Sequence, residues 1–242
     1  MKYILSYLRR AIEDYNMIEE GDKIAVALSG GKDSITLLKA LKSLQYFYPK
    51  KFELIAISVN SGFDFFDSEL LKNTCAELDV PFFEEKYDIK QIVFEDRKEK
   101  NPCSLCANLR RGILNSAAKR ENCNKLALGH NLDDVLETFL MNLFFTGNLS
   151  TFPPISYMDR SKITTIRPLI YITEKEIKRY IKRSNTKIMN KVCPMDGKSS
   201  REFIKDIIVT LSLKYPYVKN TLLGAIQRNE INGWKDISKK EP

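Results

Sequence analysis

A glycine-rich turn joins an apolar run to an amphipathic segment near the amino end of this chain. Residues 22–28 (DKIAVAL) are mostly apolar, residues 29–34 (SGGKDS) follow directly, and apolar residues then recur at helical spacing. Adjacent glycines let the backbone turn tightly, and the free amides at a helix start attract anions. The pattern predicts a phosphate-binding loop after a buried strand. It is not a Walker A loop, because Val26 stands where that motif needs its first glycine and Asp33 follows Lys32.

Apolar runs and helical spacing alternate along the rest of the chain. This alternation favours an α/β fold, with a parallel twisted sheet and helices on both faces. Further strands are predicted at residues 53–60, 82–86, 125–129 and 162–167. We expect an N-terminal helix in residues 1–20, the sheet domain in residues 21–170 with a break at 147–159, and a small basic helical region in residues 171–242.

A second loop, with two carboxylates, follows the strand predicted at residues 125–129. It has the sequence GHNLDD over residues 129–134. Ligands bind beyond the carboxyl ends of strands in an open parallel sheet, so both loops are expected to face one substrate. Asp133 and Asp134 offer the oxygen ligands that Mg²⁺ prefers. His130, the only histidine, is equally consistent with shaping the loop and with contacting a nucleotide.

The cysteine spacing predicts a metal or redox site. Cys103 and Cys106 stand three residues apart, and Cys193 lies far along the chain. Three thiolates match a cubane iron–sulfur cluster that leaves one iron without a protein ligand. The alternatives are a zinc site completed by Cys123 or His130, and a persulfide on Cys103 or Cys106 that Cys193 resolves.

Basic residues are concentrated in the last third of the chain. Residues 160–242 contain 19 Lys and Arg against 8 Asp and Glu, and the whole chain has a net charge of +8. Such a segment attracts polyanions such as RNA, although a solvated lysine-rich surface has the same composition. The residues predicted to contact RNA lie on one helix: Lys175, Lys178, Arg179, Lys182 and Arg183.

The amino-terminal segment and the length of the apolar runs predict the location of the protein. No apolar run approaches the roughly 18 residues that a bilayer span requires. The first ten residues lack an apolar signal-peptide core and have the periodicity of an amphipathic helix. We therefore expect a cytoplasmic protein that does not enter a membrane.

Several segments resemble a known family. Residues 29–34 are similar to the loop of the ATP pyrophosphatase (PP-loop) family, in which ATP is cut between its α and β phosphates. Three further segments are similar to the tRNA 2-thiocytidine synthetase group of that family: residues 103–114 (CSLCANLRRGIL), 166–169 (IRPL) and 193–201. The similarity covers roughly the whole chain, although Asn190 stands where some relatives have a further cysteine.

The resemblance implies an adenine nucleotide alpha hydrolase-like, Rossmann-like fold and ATP-dependent thiolation of a cytidine in the tRNA anticodon loop, at position 32. It implies ATP, Mg²⁺ and a [4Fe-4S] cluster on Cys103, Cys106 and Cys193. Asp33, Lys32 and Asp133 are the predicted catalytic residues, and Asp33, Asp133 and Asp134 the predicted Mg²⁺ ligands. The predicted ATP contacts are Ser29, Gly30, Gly31, Lys32, Asp33, Ser34, Gly129, His130, Asp133, Asp134, Arg110 and Arg111.

The resemblance also implies partners and leaves other functions open. The reaction needs a sulfur donor, such as a cysteine desulfurase or inorganic sulfide, and the resemblance alone suggests a homodimer. The alternatives are thiolation of another tRNA base or a small molecule, lysidine-type amination, and a non-catalytic nucleotide sensor with a cluster or zinc. An amine nucleophile needs no thiolates, so the cysteines argue against amination. The basic last third argues against a small molecule.

Overall fold

The computed structural model describes residues 1–96, 102–189 and 200–237. Its strands are β1 (Asp22–Ala27), β2 (Phe52–Asn60), β3 (Phe82–Lys86), β4 (Lys125–Ala127), β5 (Ile155–Met158) and β6 (Ile163–Ile166). They form one sheet in the order β3-β2-β1-β4-β6-β5. All neighbouring pairs are parallel except β5 and β6. The predicted α/β fold with a mainly parallel sheet is confirmed.

Helices connect and cover these strands. They are α1 (Lys2–Tyr15), α2 (Lys32–Gln45), α3 (Ser68–Glu77), α4 (Pro102–Arg120), α5 (Leu132–Thr146), α6 (Glu174–Arg183), α7 (Ser200–Lys214) and α8 (Val218–Arg228). A π-helical turn at Gln91–Asp96 precedes α4, and a 3-10 turn at Ile231–Gly233 follows α8.

Apolar side chains pack on both faces of the sheet. Alternate residues of a strand point to opposite faces. Ile24 and Val26 of β1 accordingly pack in a large core with residues such as Leu38 of α2, whereas Ala25 packs in a smaller core with Ala117 of α4. Helices therefore cover both faces, as the buried strands required.

The two ends of the chain pack into the larger core. Leu8 of α1 is fully buried there, and Trp234 is 1% exposed. The indole Nε1 of Trp234 donates a 3.1 Å hydrogen bond to the carbonyl of Phe152, and its ring lies edge-on to Tyr15. The division into residues 1–20, 21–170 and 171–242 stays a prediction, and these contacts show that its outer parts share the core of the central part.

Two local expectations need correction. The predicted break at 147–159 contains β5, a short antiparallel edge strand. Its four residues give too little alternation to detect, and Pro153 and Pro154 before it are tolerated because β5 is an edge strand. Thr173 caps α6 by accepting a 3.3 Å hydrogen bond from the amide of Glu176. The sequence TEKE at residues 173–176 predicts a capping box at the start of α6. The Glu176 side chain instead pairs with Arg179 at 3.6 Å.

Within the described ranges, no helix combines the length and the apolar character needed to cross a membrane.

Candidate active site

The turn between β1 and α2 has the geometry of an anion cradle. Gly30 has a φ of +75°, a left-handed conformation that favours glycine. The Ser34 hydroxyl accepts a 3.2 Å hydrogen bond from the Ser29 amide and donates a 3.0 Å bond to the Gly31 carbonyl. Gly31 is the N-cap of α2, and no side chain caps this helix. The first amides of α2 and its positive dipole end are therefore available to a phosphate.

The turn is held from outside by a methionine. The amide of Met189 donates a 2.8 Å hydrogen bond to the Gly30 carbonyl. A Cβ atom on Gly30 would lie 2.1 Å from the Met189 sulfur. Position 30 thus requires glycine both for its φ angle and for space.

The loop after β4 lies directly against this turn. A Cβ atom on Gly129 would come within 3.1 Å of the backbone carbon of Asp33 and the amide of Ser34. The Asn131 side-chain oxygen accepts from the amides of Asp133 (2.9 Å) and Asp134 (3.2 Å), and its side-chain nitrogen donates to Asp33 at 3.1 Å. One residue therefore caps α5 and joins the two loops.

Asp33 and Asp134 come together in this arrangement. Both line one cavity, and both are hydrogen-bonded to Asn131. Burial raises the pKa of Asp134, and the neighbouring charge of Asp33 adds to this effect. A divalent cation bound between the two carboxylates would offset both the cost of burying Asp134 and its repulsion by Asp33. The described residues contain no cluster of three or more His, Cys, Asp or Glu side chains suited to a metal.

Asp133 points elsewhere. Its Oδ2 accepts a 2.7 Å hydrogen bond from the amide of Glu174, and its Oδ1 is paired with the ammonium of Lys219. Adjacent helical residues project about 100° apart, so Asp133 and Asp134 diverge. The sequence-based prediction places Asp133 with Asp33 and Asp134 around one cation, and the structure does not bring the three together. Asp133 instead joins α5 to α6 and α8.

Lys32 is paired with two carboxylates, and its contact with ATP stays a prediction. Its ammonium lies 2.9 Å from Asp33 Oδ2 and 3.0 Å from Glu174 Oε1. Burial lowers the pKa of Lys32, but the two carboxylates outweigh burial and the pKa is raised. For Glu174, burial raises the pKa, whereas the bond to Lys32 and nearby lysines lower it to about 2. Lys32 is a charged partner of the amino end of α6 in this conformation.

Two cavities open at the carboxyl edge of the sheet. The phosphate cavity, of about 340 Å³, is lined by both loops and by α4, with Asp33, Asp134, His130 and Arg111 among its residues. The cysteine cavity, of about 250 Å³, is lined by Cys103, Cys106, Arg110 and several aromatic rings. Ser29, Ala107 and Arg110 line both. The two cavities are therefore adjacent compartments of one site.

The two described cysteines of the predicted triad face the cysteine cavity. Cys103 is exposed and Cys106 half-buried, and they stand one turn apart on α4. Phe63 and Phe65 stack at 5.2 Å between ring centroids in the same cavity. Cys193 lies outside the described residues, so the three-thiolate site stays a prediction.

The remaining cysteines are buried. Burial raises the pKa of the Cys75 thiol to about 12 and that of Cys123 to about 11. Neither lines the phosphate cavity or the cysteine cavity. Both are packing residues: Cys75 of α3 lies in the larger core and Cys123 in the smaller one.

His130 lines the phosphate cavity as a neutral imidazole. Its ring packs on Phe152 with 4.8 Å between centroids. Burial lowers its pKa to about 3, and the charges of Arg167, Arg201 and Arg111 act in the same direction. The neutral ring can donate one hydrogen bond and accept another, but it carries no charge at neutral pH.

Known proteins show which family builds such a site. The family model of the PP-loop domain matches residues 5–211. The chain is 42% identical over 220 residues to a tRNA-cytidine(32) 2-sulfurtransferase of Geotalea uraniireducens, covering 90% of this chain and 87% of that protein. The enzyme of the same name from Dichelobacter nodosus is 41% identical, with 90% of this chain and 83% of that protein covered.

The chain belongs to the PP-loop family, in the group of the tRNA-cytidine(32) 2-sulfurtransferases. A solved structure is also similar: the U34-tRNA thiolase NcsA from Methanococcus maripaludis with its [4Fe-4S] cluster. It has a TM-score of 0.75 and 27% identity, and the match covers 94% of this chain and 78% of that one. The resemblance drawn from the sequence and the ATP-binding class of the domain are confirmed.

The basic residues predicted to contact RNA share one exposed face of this PP-loop protein. All five lie on α6, whose single buried residue is Ile177. Lys178 pairs with Glu174 at 3.1 Å and Arg179 with Glu176 at 3.6 Å. In both intrahelical pairs the basic side chain is more than half exposed, so the face remains available to phosphates.

Sequence reasoning missed several residues of the PP-loop site. Asn131 had a detectable signal, since it is an N-cap residue type in a loop already identified. Glu174 lay in a predicted capping box. Met189 and Arg201 had none, because their partners are distant in sequence: Met189 contacts Gly30, and Arg201 pairs with Glu137 at 2.9 Å and with Asp134 at 3.7 Å.

Proposed function

We propose that this protein is an ATP-dependent tRNA sulfurtransferase that converts a cytidine at position 32 of the anticodon loop to 2-thiocytidine. One observation carries the proposal beyond family membership: the phosphate cavity and the cysteine cavity share Ser29, Ala107 and Arg110. A phosphate loop and a thiol pair thus face one reaction space. The names of the relatives support the nucleoside and the position.

The phosphate loop would hold the β and γ phosphates of ATP. Amides at the start of α2 offer donors to these oxygens. The Ser29 and Ser34 hydroxyls, hydrogen-bonded to each other at 3.2 Å, hold the shape of the loop. The cytidine carbonyl oxygen then attacks the α phosphorus, the bond from that phosphorus to the bridging oxygen breaks, and pyrophosphate leaves. The base is now adenylated, and its former carbonyl oxygen belongs to a good leaving group.

Asp33 and Asp134 are the residues that would hold Mg²⁺. Their carboxylates are brought together by Asn131 and line the phosphate cavity. A cation there would offset the charge that develops on pyrophosphate. Asp133 is assigned instead to fixing α6 and α8 to α5, through Glu174 and Lys219.

Cys103, Cys106 and Cys193 would hold the [4Fe-4S] cluster. The aromatic, largely apolar cavity around the first two thiols fits such a group, and Arg110 beside them offsets the charge of thiolates. When bound, the cluster supplies a site for the sulfur that replaces the carbonyl oxygen. Sulfur addition at C2 expels AMP, and a desulfurase or inorganic sulfide is the proposed source.

RNA would reach this site along α6. The helix presents Lys175, Lys178, Arg179, Lys182 and Arg183 to solvent. Glu174, the first residue of α6, contacts Lys32 of the phosphate loop at 3.0 Å. RNA bound along α6 therefore lies next to the loop that holds ATP.

The test is pyrophosphate release from ATP with and without transcribed tRNA, followed by nucleoside analysis of the tRNA. The proposal predicts RNA-dependent release and, with the reconstituted cluster and sulfide, ATP-dependent 2-thiocytidine. Asp33→Asn is expected to abolish both. A sensor would release no pyrophosphate, and an amidating enzyme would leave a nitrogen-substituted base without sulfur; either result overturns the proposal.

A further inference from the structure

Among the described residues, Arg167 is a buried cation without a carboxylate partner. It is the first residue after β6, at the carboxyl edge of the sheet, and is 7% exposed. Its Nη1 donates to the Pro153 carbonyl at 2.7 Å and to the Ser156 hydroxyl at 3.2 Å. Its Nε is buried without a hydrogen-bond partner, and across the described residues Arg167 forms no ion pair.

Burial of an uncompensated guanidinium is unfavourable. A buried charge costs several kcal/mol unless it is paired. Burial lowers the pKa of Arg167 to about 10, and the positive charge of Arg111 lowers it further. Arg201 is also near His130, but its charge is balanced by Glu137, whose carboxylate lies 2.9 Å from the guanidinium. In the part of the chain that the structure describes, no carboxylate balances the charge of Arg167, so an anion bound beside the guanidinium would stabilise it.

His130 links Arg167 to the phosphate cavity. The Arg167 guanidinium carbon lies 5.3 Å from the centre of the Phe152 ring, and the imidazole of His130 packs on the same ring at 4.8 Å. The Nδ1 atom of His130 is buried and has no hydrogen-bond partner among the described residues. His130 and Arg111 both line the phosphate cavity. His130 therefore adjoins both the phosphate cavity and the Phe152 ring on which Arg167 packs.

We infer that Arg111, His130 and Arg167 form a second phosphate site at the wall of the phosphate cavity, separate from the loop at residues 29–34. The loop end of the cavity carries Asp33 and Asp134 and needs a cation to accept an anion, whereas this wall is positive by itself. The ligand is a single phosphate group. The inference rests on the proposed function for its source, which is either the α phosphate of ATP or a phosphodiester of the RNA.

The test uses Arg167→Met, which keeps an unbranched stem and removes the charge. Arg9→Met is the matched control, since Arg9 is an exposed residue of α1 paired only with exposed Glu13. Two affinities are measured for each protein: AMP with Mg²⁺ and pyrophosphate present, and transcribed tRNA without nucleotide. We expect at least one to fall about tenfold or more in Arg167→Met alone, the range for a lost charge-assisted hydrogen bond.

The two affinities distinguish the sources. If only the affinity for AMP falls in Arg167→Met, the site binds the α phosphate. Loss confined to tRNA, with a shallower salt dependence, assigns it to an RNA phosphodiester. Unchanged affinities in both overturn the inference and leave Arg167 as an anchor for the segment before β5. If Arg167→Met does not fold, Arg167→Lys is measured in the same way. Lysine keeps the charge but loses the planar set of guanidinium donors.

A third measurement separates this inference from the proposed function. Inorganic phosphate is added to protein already saturated with Mg²⁺ and pyrophosphate, and the melting temperature is recorded. We expect phosphate to raise the melting temperature of the wild type and of Arg9→Met but not of Arg167→Met. An equal response in all three proteins, or no response in the wild type, contradicts the second site even if the enzyme thiolates tRNA.

Discussion

The side-chain amide of Asn131 donates a 3.1 Å hydrogen bond to the carboxylate of Asp33, and so ties the loop after β4 to the loop after β1. The same side chain caps α5 with its oxygen. Stability and site geometry therefore depend on two different atoms of one residue, which substitutions can separate.

Asn131→Ser is expected to keep the cap and lose the amide donor. Serine caps helices about as well as asparagine, whereas Asn131→Ala should cost about 1 kcal/mol of unfolding free energy. We predict that RNA-dependent pyrophosphate release falls in both variants, while only Asn131→Ala unfolds at lower denaturant. Wild-type release by Asn131→Ser would show that the bond to Asp33 does not organise the site.

Gly30→Ala should disable the phosphate loop. The new Cβ atom would lie 2.1 Å from the Met189 sulfur at a φ of +75°. Gly147→Ala is the control, because its φ of +67° imposes similar strain of about 1–2 kcal/mol but nothing lies within 4 Å. We expect Gly30→Ala to lose ATP binding, measured by calorimetry, and Gly147→Ala to keep it. Adding Met189→Ala to Gly30→Ala should restore part of the lost stability; no recovery would refute the clash.

Glu174→Gln should change the acid stability of the protein. The pKa of Glu174 is lowered to about 2 when folded, against about 4.3 in an unfolded chain. A lowered carboxyl pKa stabilises the fold above the unfolded value, and this stabilisation is lost as pH falls from about 4.3 towards 2.

Denaturant unfolding at pH 7 and pH 3 measures that effect. We expect the wild type to lose about 1–2 kcal/mol more than Glu174→Gln between these values. Glu13→Gln serves as control, since the Arg9 and Glu13 side chains are each half exposed and such pairs contribute little. Equal losses in wild type and Glu174→Gln would mean that the contact with Lys32 does not stabilise the fold.

Neutralising Lys178, Lys182 and Arg183 to glutamine should weaken tRNA binding. Each lost phosphate contact reduces the counterions released, so the slope of log affinity against log salt should become shallower by roughly 2. The control triple is Arg9, Lys51 and Lys72, which are exposed residues outside α6. If both triples behave alike in a salt titration, α6 is not the RNA surface.

Local sequence patterns predicted the sheet and the two loops. They could not predict contacts between residues that are distant along the chain. Strand and helix periodicity is a property of neighbouring residues, so β1 and α2 could be recognised. The Mg²⁺ role of Asp133 stays a prediction, because the direction of its side chain depends on helix phase and on its partner, Lys219, which no local pattern encodes. The contact of Met189 with Gly30 joins distant segments, and no local pattern encodes it.

We propose that Cys103, Cys106 and Cys193 hold one cluster beside the phosphate loop. This ligation is tested most directly by counting iron in anaerobically reconstituted Cys103→Ala, Cys106→Ala and Cys193→Ala, with Cys75→Ala as the buried control. We predict about four irons per chain in the wild type and in Cys75→Ala, and loss of the cluster in the other three. Full iron content in Cys193→Ala would contradict it.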